Sequence, residues 1–171
     1  MLRSELSDSA SILVVEDDAK HGAMCARLLE RKGYNAQAIT SGREALFVLE
    51  QKGAVDVVLA DLQMPEMDGI QLLSAVKRRF PQVEFIVMTG YGTVKSAVEA
   101  MQLGAAHYIQ EPLDQVELNI LIRRVIEKKS LEEKDDQLRE ELHGNYSFNN
   151  VIGRGAVMHT ILDKMAAACR N

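Results

Sequence analysis

Three consecutive acids, Glu16, Asp17 and Asp18, follow one short apolar run, and a fourth, Asp61, ends another. Carboxylates gathered in a cleft repel one another unless a cation or a proton sits among them. Oxygen ligands unaccompanied by cysteine or histidine suit Mg2+, which takes one or two protein carboxylates and completes its shell with water and phosphate oxygens. Two further apolar runs end in residues of matching chemistry. Met88-Thr89-Gly90 offers a hydroxyl, and Glu111-Pro112, with Tyr108 just before it, offers another carboxylate and an aromatic ring. A carboxylate nucleophile beside a divalent cation, with a hydroxyl donor opposite, is the set needed to form an acyl phosphate. The bland alternative is a set of solvated acidic loops, and the acids alone do not decide between the two.

What decides is whether the fold brings those run ends together. Five short runs rich in apolar and β-branched residues, at 12–15, 35–39, 55–60, 84–88 and 107–110, alternate with helical patterns. Helices are expected over 19–32 with Gly33 as its cap, from a Ser41 cap through Leu49, over 70–79 before Pro81, and over 93–103 before Gly104. Asp18 reads as a helix N-cap rather than a ligand. Strands apolar on both faces argue for a parallel sheet covered on both sides. Five strands and five helices in this length suit a flavodoxin-like, doubly wound sheet of order 2-1-3-4-5. In that order the first and third strands are neighbours, and ligands lie beyond the carboxyl ends of the strands.

With these motifs in hand, residues 12–126 resemble the receiver domain of two-component response regulators. The resemblance rests on Ile-Leu-Val-Val-Glu-Asp-Asp at 12–18, Val-Val-Leu-Ala-Asp-Leu-Gln-Met-Pro-Glu-Met-Asp-Gly at 57–69, Met-Thr-Gly-Tyr-Gly at 88–92 and Gly-Ala-Ala-His-Tyr-Ile-Gln-Glu-Pro at 104–112. It implies a CheY-like fold in which a sensor histidine kinase phosphorylates Asp61. It further implies Mg2+ held by Glu16, Asp17, Asp61 and the backbone carbonyl of Gln63, with Asp17 the more direct ligand of the acidic pair. Thr89 would be the switch hydroxyl and Tyr108 the aromatic that changes rotamer with it. The Glu111-Pro112 bond is a candidate for the cis form, which is rare except before proline. One position departs from the pattern. The family places a lysine before that proline, and Glu111 changes the local charge there by two units. The resemblance therefore leaves two readings: a working switch, and a phosphorylation-impaired interaction module that keeps the fold.

The 171 residues carry 47% hydrophobic and 26% charged residues and a net charge of −5, which gives no support for direct nucleic-acid binding. Cys25 and Cys169 form neither a metal pattern nor a disulfide framework. The polar N-terminus is not a signal peptide, and no apolar run approaches the roughly 20 residues that span a bilayer, so a cytoplasmic location is expected. The expected organisation is a flexible N-terminus at 1–10, the receiver at 11–126, a helical linker at 127–146 and the start of an output domain at 147–171. In the linker Leu131, Leu138 and Leu142 outline a short, imperfect coiled-coil seam, favouring a homodimer over a solvated single helix. The segment from Phe148 resembles the opening of the AAA+ domain of sigma-54-dependent activators. That implies sigma-54 RNA polymerase as a partner through an output domain beyond this chain. A phosphate-binding Gly-Lys-Ser/Thr loop does not occur in the sequence, so ATP hydrolysis is not assigned to it, and the chain is read as regulatory rather than enzymatic.

Overall fold

The computed structural model describes residues 10–145, except Ala54, Tyr91 and Leu113. The expectations for the N-terminus up to residue 9, for Cys169 and for the segment at 147–171 lie outside the described residues. Ala10, grouped above with the N-terminal segment, is buried, and its carbonyl accepts from the amide of Asn35.

The elements run β1 (Ser11–Val15), α1 (Ala19–Glu30), β2 (Asn35–Ile39), α2 (Gly42–Lys52), β3 (Val57–Asp61), α3 (Gly69–Arg79), β4 (Glu84–Thr89), α4 (Val94–Gln102), β5 (His107–Gln110) and α5 (Gln115–Asn145). All five strands are parallel, in the order β2-β1-β3-β4-β5, as the alternation of patterns predicts. Because successive strand residues point to opposite faces, each strand feeds two cores. Ile12, Val14, Leu59 and Met88 pack on one face against Leu29 of α1 and Leu118 and Ile122 of α5. Leu13, Val15, Val58 and Phe85 pack on the other against Leu49 of α2 and Leu72, Leu73 and Val76 of α3. Most of these side chains are fully buried, each contributing about 1.5–3 kcal/mol by leaving water.

Local signals set the helix ends. Asp18 caps α1, accepting from the amides of Lys20 and His21, and Ser41 caps α2. Asp68 and Gln71 form a reciprocal capping box on α3, as do Thr93 and Ser96 on α4. Several boundaries shift by a residue or two from the sequence expectation, those of the third strand and of α1 among them. The third strand begins at Val57 rather than 55 and includes Asp61; just before it the Asp56 amide donates to the Ser11 carbonyl and the Asp56 side chain accepts from the Ser11 amide. Helix α1 stops at Glu30 with Arg31 as its cap, and the amides of Lys32 and Gly33 make tight bonds back to Leu29 and Glu30. Gly33, at φ 93°, then turns the chain into β2.

The chain divides into two compact units, 1–129 and 130–171. At the end of the first, Lys129 Nζ donates to Asp56 Oδ1 at 2.7 Å. In the second, the described turns of α5 leave Leu131 and Leu138 well exposed. Among the described residues, no helix is long and apolar enough to cross a membrane.

Candidate functional site

The carboxyl ends of β1 and β3 lie side by side, with Val15 paired to Ala60, so Glu16 and Asp61 emerge at the same edge. The Glu16 amide is fixed by the carbonyl of Ile39, and Asp61 is still within the ladder, opposite Met88 of β4. Carboxylate oxygens of Glu16, Asp17 and Asp61 all lie within 4.8 Å of one another. Glu16 is buried, Asp61 half-buried and Asp17 exposed, which makes a graded pocket open on one side.

Electrostatics record the strain of that arrangement. The Glu16 carboxyl is pushed above its ordinary range first by burial and then by the charge of Asp61, while His21 opposes the rise. Asp61 is also pushed up, mainly by burial; the amides of Gln63 and Leu62 pull it back, and the charges of Glu111 and Asp17 add to the rise. Asp18 moves the opposite way because the amides of His21 and Lys20 stabilise its anion, as a cap should. The acids thus gather where they repel one another, and a bound cation would relieve that repulsion. An all-oxygen set of this kind fits Mg2+.

A close approach holds the loop after Asp61. The Gly69 amide donates to the carbonyl of Leu62, and a Cβ at position 69 would lie 2.4 Å from the Asp61 carbonyl oxygen. Glycine is therefore required where α3 begins, directly beneath the end of β3. Glu66, at φ 63°, completes the turn in the left-handed region.

On the next strand Thr89 is completely buried at the end of β4. The Tyr108 hydroxyl and Ser96 Oγ are hydrogen-bonded at 3.0 Å, tying β5 to α4. Its ring passes close over Gly92, where a Cβ would meet the tyrosine hydroxyl at 2.4 Å and the Thr89 methyl at 3.0 Å. Gln63 is exposed next to Asp61. The Glu111-Pro112 bond is cis, and the Glu111 amide donates to the Thr89 carbonyl.

Sequence reasoning missed His21. From the first turn of α1 its Nδ1 lies 2.9 Å from Glu16 Oε2, and its Nε2 lies 3.5 Å from Glu111 Oε1. The partnership with Glu16 spans a turn between strand and helix, and that with Glu111 spans 90 positions, so neither has a sequence period to betray it. Ser96 and Gly92 were missed for the same reason: their roles exist only once α4 packs on β5.

Comparison with known proteins agrees with this architecture. Residues 12–123 match the model of the response regulator receiver domain. The chain is 42% identical over 107 residues to the transcriptional regulatory protein ZraR of Escherichia coli K12, covering 63% of this chain and 24% of that protein. It thus spans about a quarter of the length of this relative. A response regulator receiver domain protein from Clostridium thermocellum superposes with a TM-score of 0.68 at 32% identity, covering 71% of this chain and 98% of that one. The beryllofluoride-activated NtrC4 receiver domain dimer gives 0.65 at 28% identity, covering 70% and 98%. This chain belongs to the response regulator receiver family, whose domains are regulatory rather than catalytic.

Proposed function

We propose that Asp61 is the phosphoacceptor of a receiver that controls a longer transcriptional regulator. The observation that carries this reading is the convergence of Glu16, Asp17 and Asp61 within 4.8 Å at the carboxyl edge of the sheet, beside the strand that ends in Thr89. A carboxylate oxygen of Asp61 attacks the phosphorus of a phosphohistidine. The new O–P bond makes an acyl phosphate as the P–N bond breaks and its electron pair returns to the kinase imidazole. Glu16, Asp17, Asp61 and the Gln63 carbonyl would hold Mg2+, which when bound supplies charge neutralisation for the incoming phosphoryl oxygens. In this reading Thr89 donates to a phosphoryl oxygen, and Tyr108, linked to Ser96, carries its movement to α4. Such a switch requires the modified state to differ in stability from the resting one by only a few kcal/mol.

Dimerisation is the expected output. In the first unit Val94, Val98 and Met101 of α4 and Val116 of α5 are exposed apolar residues. In the second, exposed Leu131 and Leu138 are one heptad apart. By the resemblance of the C-terminal segment, the regulated output is a sigma-54-dependent activator. The test is incubation with a small acyl phosphate and Mg2+, followed by intact mass. Wild type should gain one phosphoryl group and Asp61→Asn none. Labelling that persists in Asp61→Asn would overturn the assignment. Sedimentation with and without beryllofluoride then reads the coupling to self-association.

A second reading is favoured by Glu111, whose charge already bears on Asp61. It is a receiver fold in which phosphorylation is impaired and the chain serves as an interaction module. Slow labelling of wild type and fast labelling of Glu111→Lys would support it; equal rates would exclude it.

A further inference from the structure

Glu111 and His21 stand in a relation that a phosphoacceptor does not need. Among the described residues, Glu111 Oε1 is a buried side-chain oxygen without a hydrogen-bond partner. Its nearest basic atom is His21 Nε2 at 3.5 Å. That separation exceeds the usual N–H···O range of about 2.7–3.2 Å. It matches two ligands of one tetrahedral ion, because bonds of about 2.1 Å at a tetrahedral angle place nitrogen and oxygen about 3.4 Å apart.

The rest of the surroundings points the same way. At the other edge of the imidazole, Nδ1 is 2.9 Å from Glu16 Oε2, so the ring is held with Nε2 turned to Glu111. A carboxylate accepting from the far nitrogen is the usual support of a metal-bound histidine, fixing tautomer and orientation. Ligand atoms of Glu16, His21 and Glu111 all lie within 4.8 Å of one another. The absence of a side chain at Gly90 leaves room, since a Cβ there would come within 3.2 Å of Glu111 Oε2. The group opens on a cleft of about 600 Å³ lined by His21, Met24, Cys25, Gly90, Glu111 and Gln115. Cys25 is buried on the α1 side of the cleft.

We propose that His21 Nε2 and Glu111 Oε1, with Glu16 completing or orienting the set, form a second divalent-cation site for a transition metal of the Zn2+ type. The donor set separates it from its neighbour. Imidazole with carboxylate suits Zn2+, Co2+ or Ni2+, whereas the oxygen-only set around Asp61 suits Mg2+. Glu16 is common to both clusters, so the two cations would share a carboxylate. The inference goes beyond the phosphoacceptor reading and stands on the geometry of His21 and Glu111, which that reading does not use.

The experiment is calorimetric titration of the full chain with Zn2+ in a large excess of Mg2+, alongside Co2+ absorption as a spectroscopic probe. Wild type should bind one equivalent, with nitrogen in the Co2+ ligand field. His21→Gln and Glu111→Gln should each weaken binding by roughly 10–100-fold. Asp17→Asn, which removes a carboxylate from the neighbouring set only, should leave it in place. Circular dichroism shows whether each variant is folded, and Glu111→Lys provides a second probe of the same ligand. Equal affinity in wild type and His21→Gln would overturn the site. So would Zn2+ that Mg2+ displaces and Asp17→Asn abolishes, because the ion would then be sitting at the Asp61 cluster. None of these outcomes depends on whether Asp61 accepts a phosphoryl group.

Discussion

The two ends of the sheet treat their carboxylates in opposite ways. At the amino edge, Asp56 receives the Ser11 amide at 2.9 Å and Lys129 Nζ at 2.7 Å. Glu84, also at that edge, is buried and pairs with Lys77 at 3.2 Å. At the carboxyl edge Glu16 lies close to Asp17 and Asp61 on one side and to Glu111 on another, and the basic group beside Glu16 and Glu111 is a histidine. Acids at the amino edge are satisfied inside the protein and stabilise the fold. Those at the carboxyl edge repel one another, and in the proposed function a cation and a phosphoryl group complete them. Carboxylates are thus paired where the chain supplies an ammonium partner, and the proposed site lies where it withholds one.

The comparison can be broken at several points, beginning with the largest effect. Asp61→Asn should reduce acyl-phosphate labelling by at least about 100-fold, since it removes a nucleophile for which no neighbouring acid has the same place in the ladder. Intact mass measures it, and Asp56→Asn at the amino edge should label like wild type. Next, Lys77→Met should destabilise the protein by about 2–3 kcal/mol in urea titration by leaving Glu84 buried and unpaired. An unchanged midpoint would show that the amino edge does not need its ion pair. Mg2+ at ten times its dissociation constant should stabilise wild type by about 1.4 kcal/mol, and Asp17→Asn should lose that gain.

The smallest effect carries a sign. Asp61 and Glu16 are pushed above their ordinary carboxylate range in the fold. The folded state therefore holds protons that the unfolded chain has released, and stability falls as pH rises from the ordinary range through the raised values. Without Mg2+, Asp61→Asn should melt a few degrees above wild type at neutral pH. The advantage should fade in acid, below the ordinary carboxylate range. A gain that is constant with pH would locate its cause elsewhere.

Much of this was legible in the chain. Runs of apolar residues ending in Glu16, Asp61, Thr89 and Glu111 announce both the sheet and the edge where chemistry gathers, because a doubly wound fold collects strand ends on one side. Caps at Asp18 and Ser41 were legible because they act within three residues of themselves. What escaped depends on distance along the chain. The Asp56–Lys129 pair joins residues 73 apart, and the Tyr108–Ser96 bond exists only when a helix settles against a strand. The third strand's start was misplaced because Val55 is apolar and buried like the strand residues, although the strand begins only at Val57. His21 shows the limit most clearly. A histidine in a helical stretch signals nothing until β1, α1 and the turn after β5 meet around it.

Gly92 has a consequence for how such a protein could be set by chemistry other than phosphate. The nearest atom to a side chain at that position is the terminal hydroxyl of Tyr108, the most yielding part of the ring, with the Thr89 methyl behind it. A single methyl group in Gly92→Ala would act as a wedge, levering the ring away from Ser96 while Asp61 stays unmodified. NMR of the Tyr108 ring would register the displacement, and an unmoved ring would show that the backbone gives way instead. One carbon atom would then reset the ring by packing alone, with no change at the acidic edge.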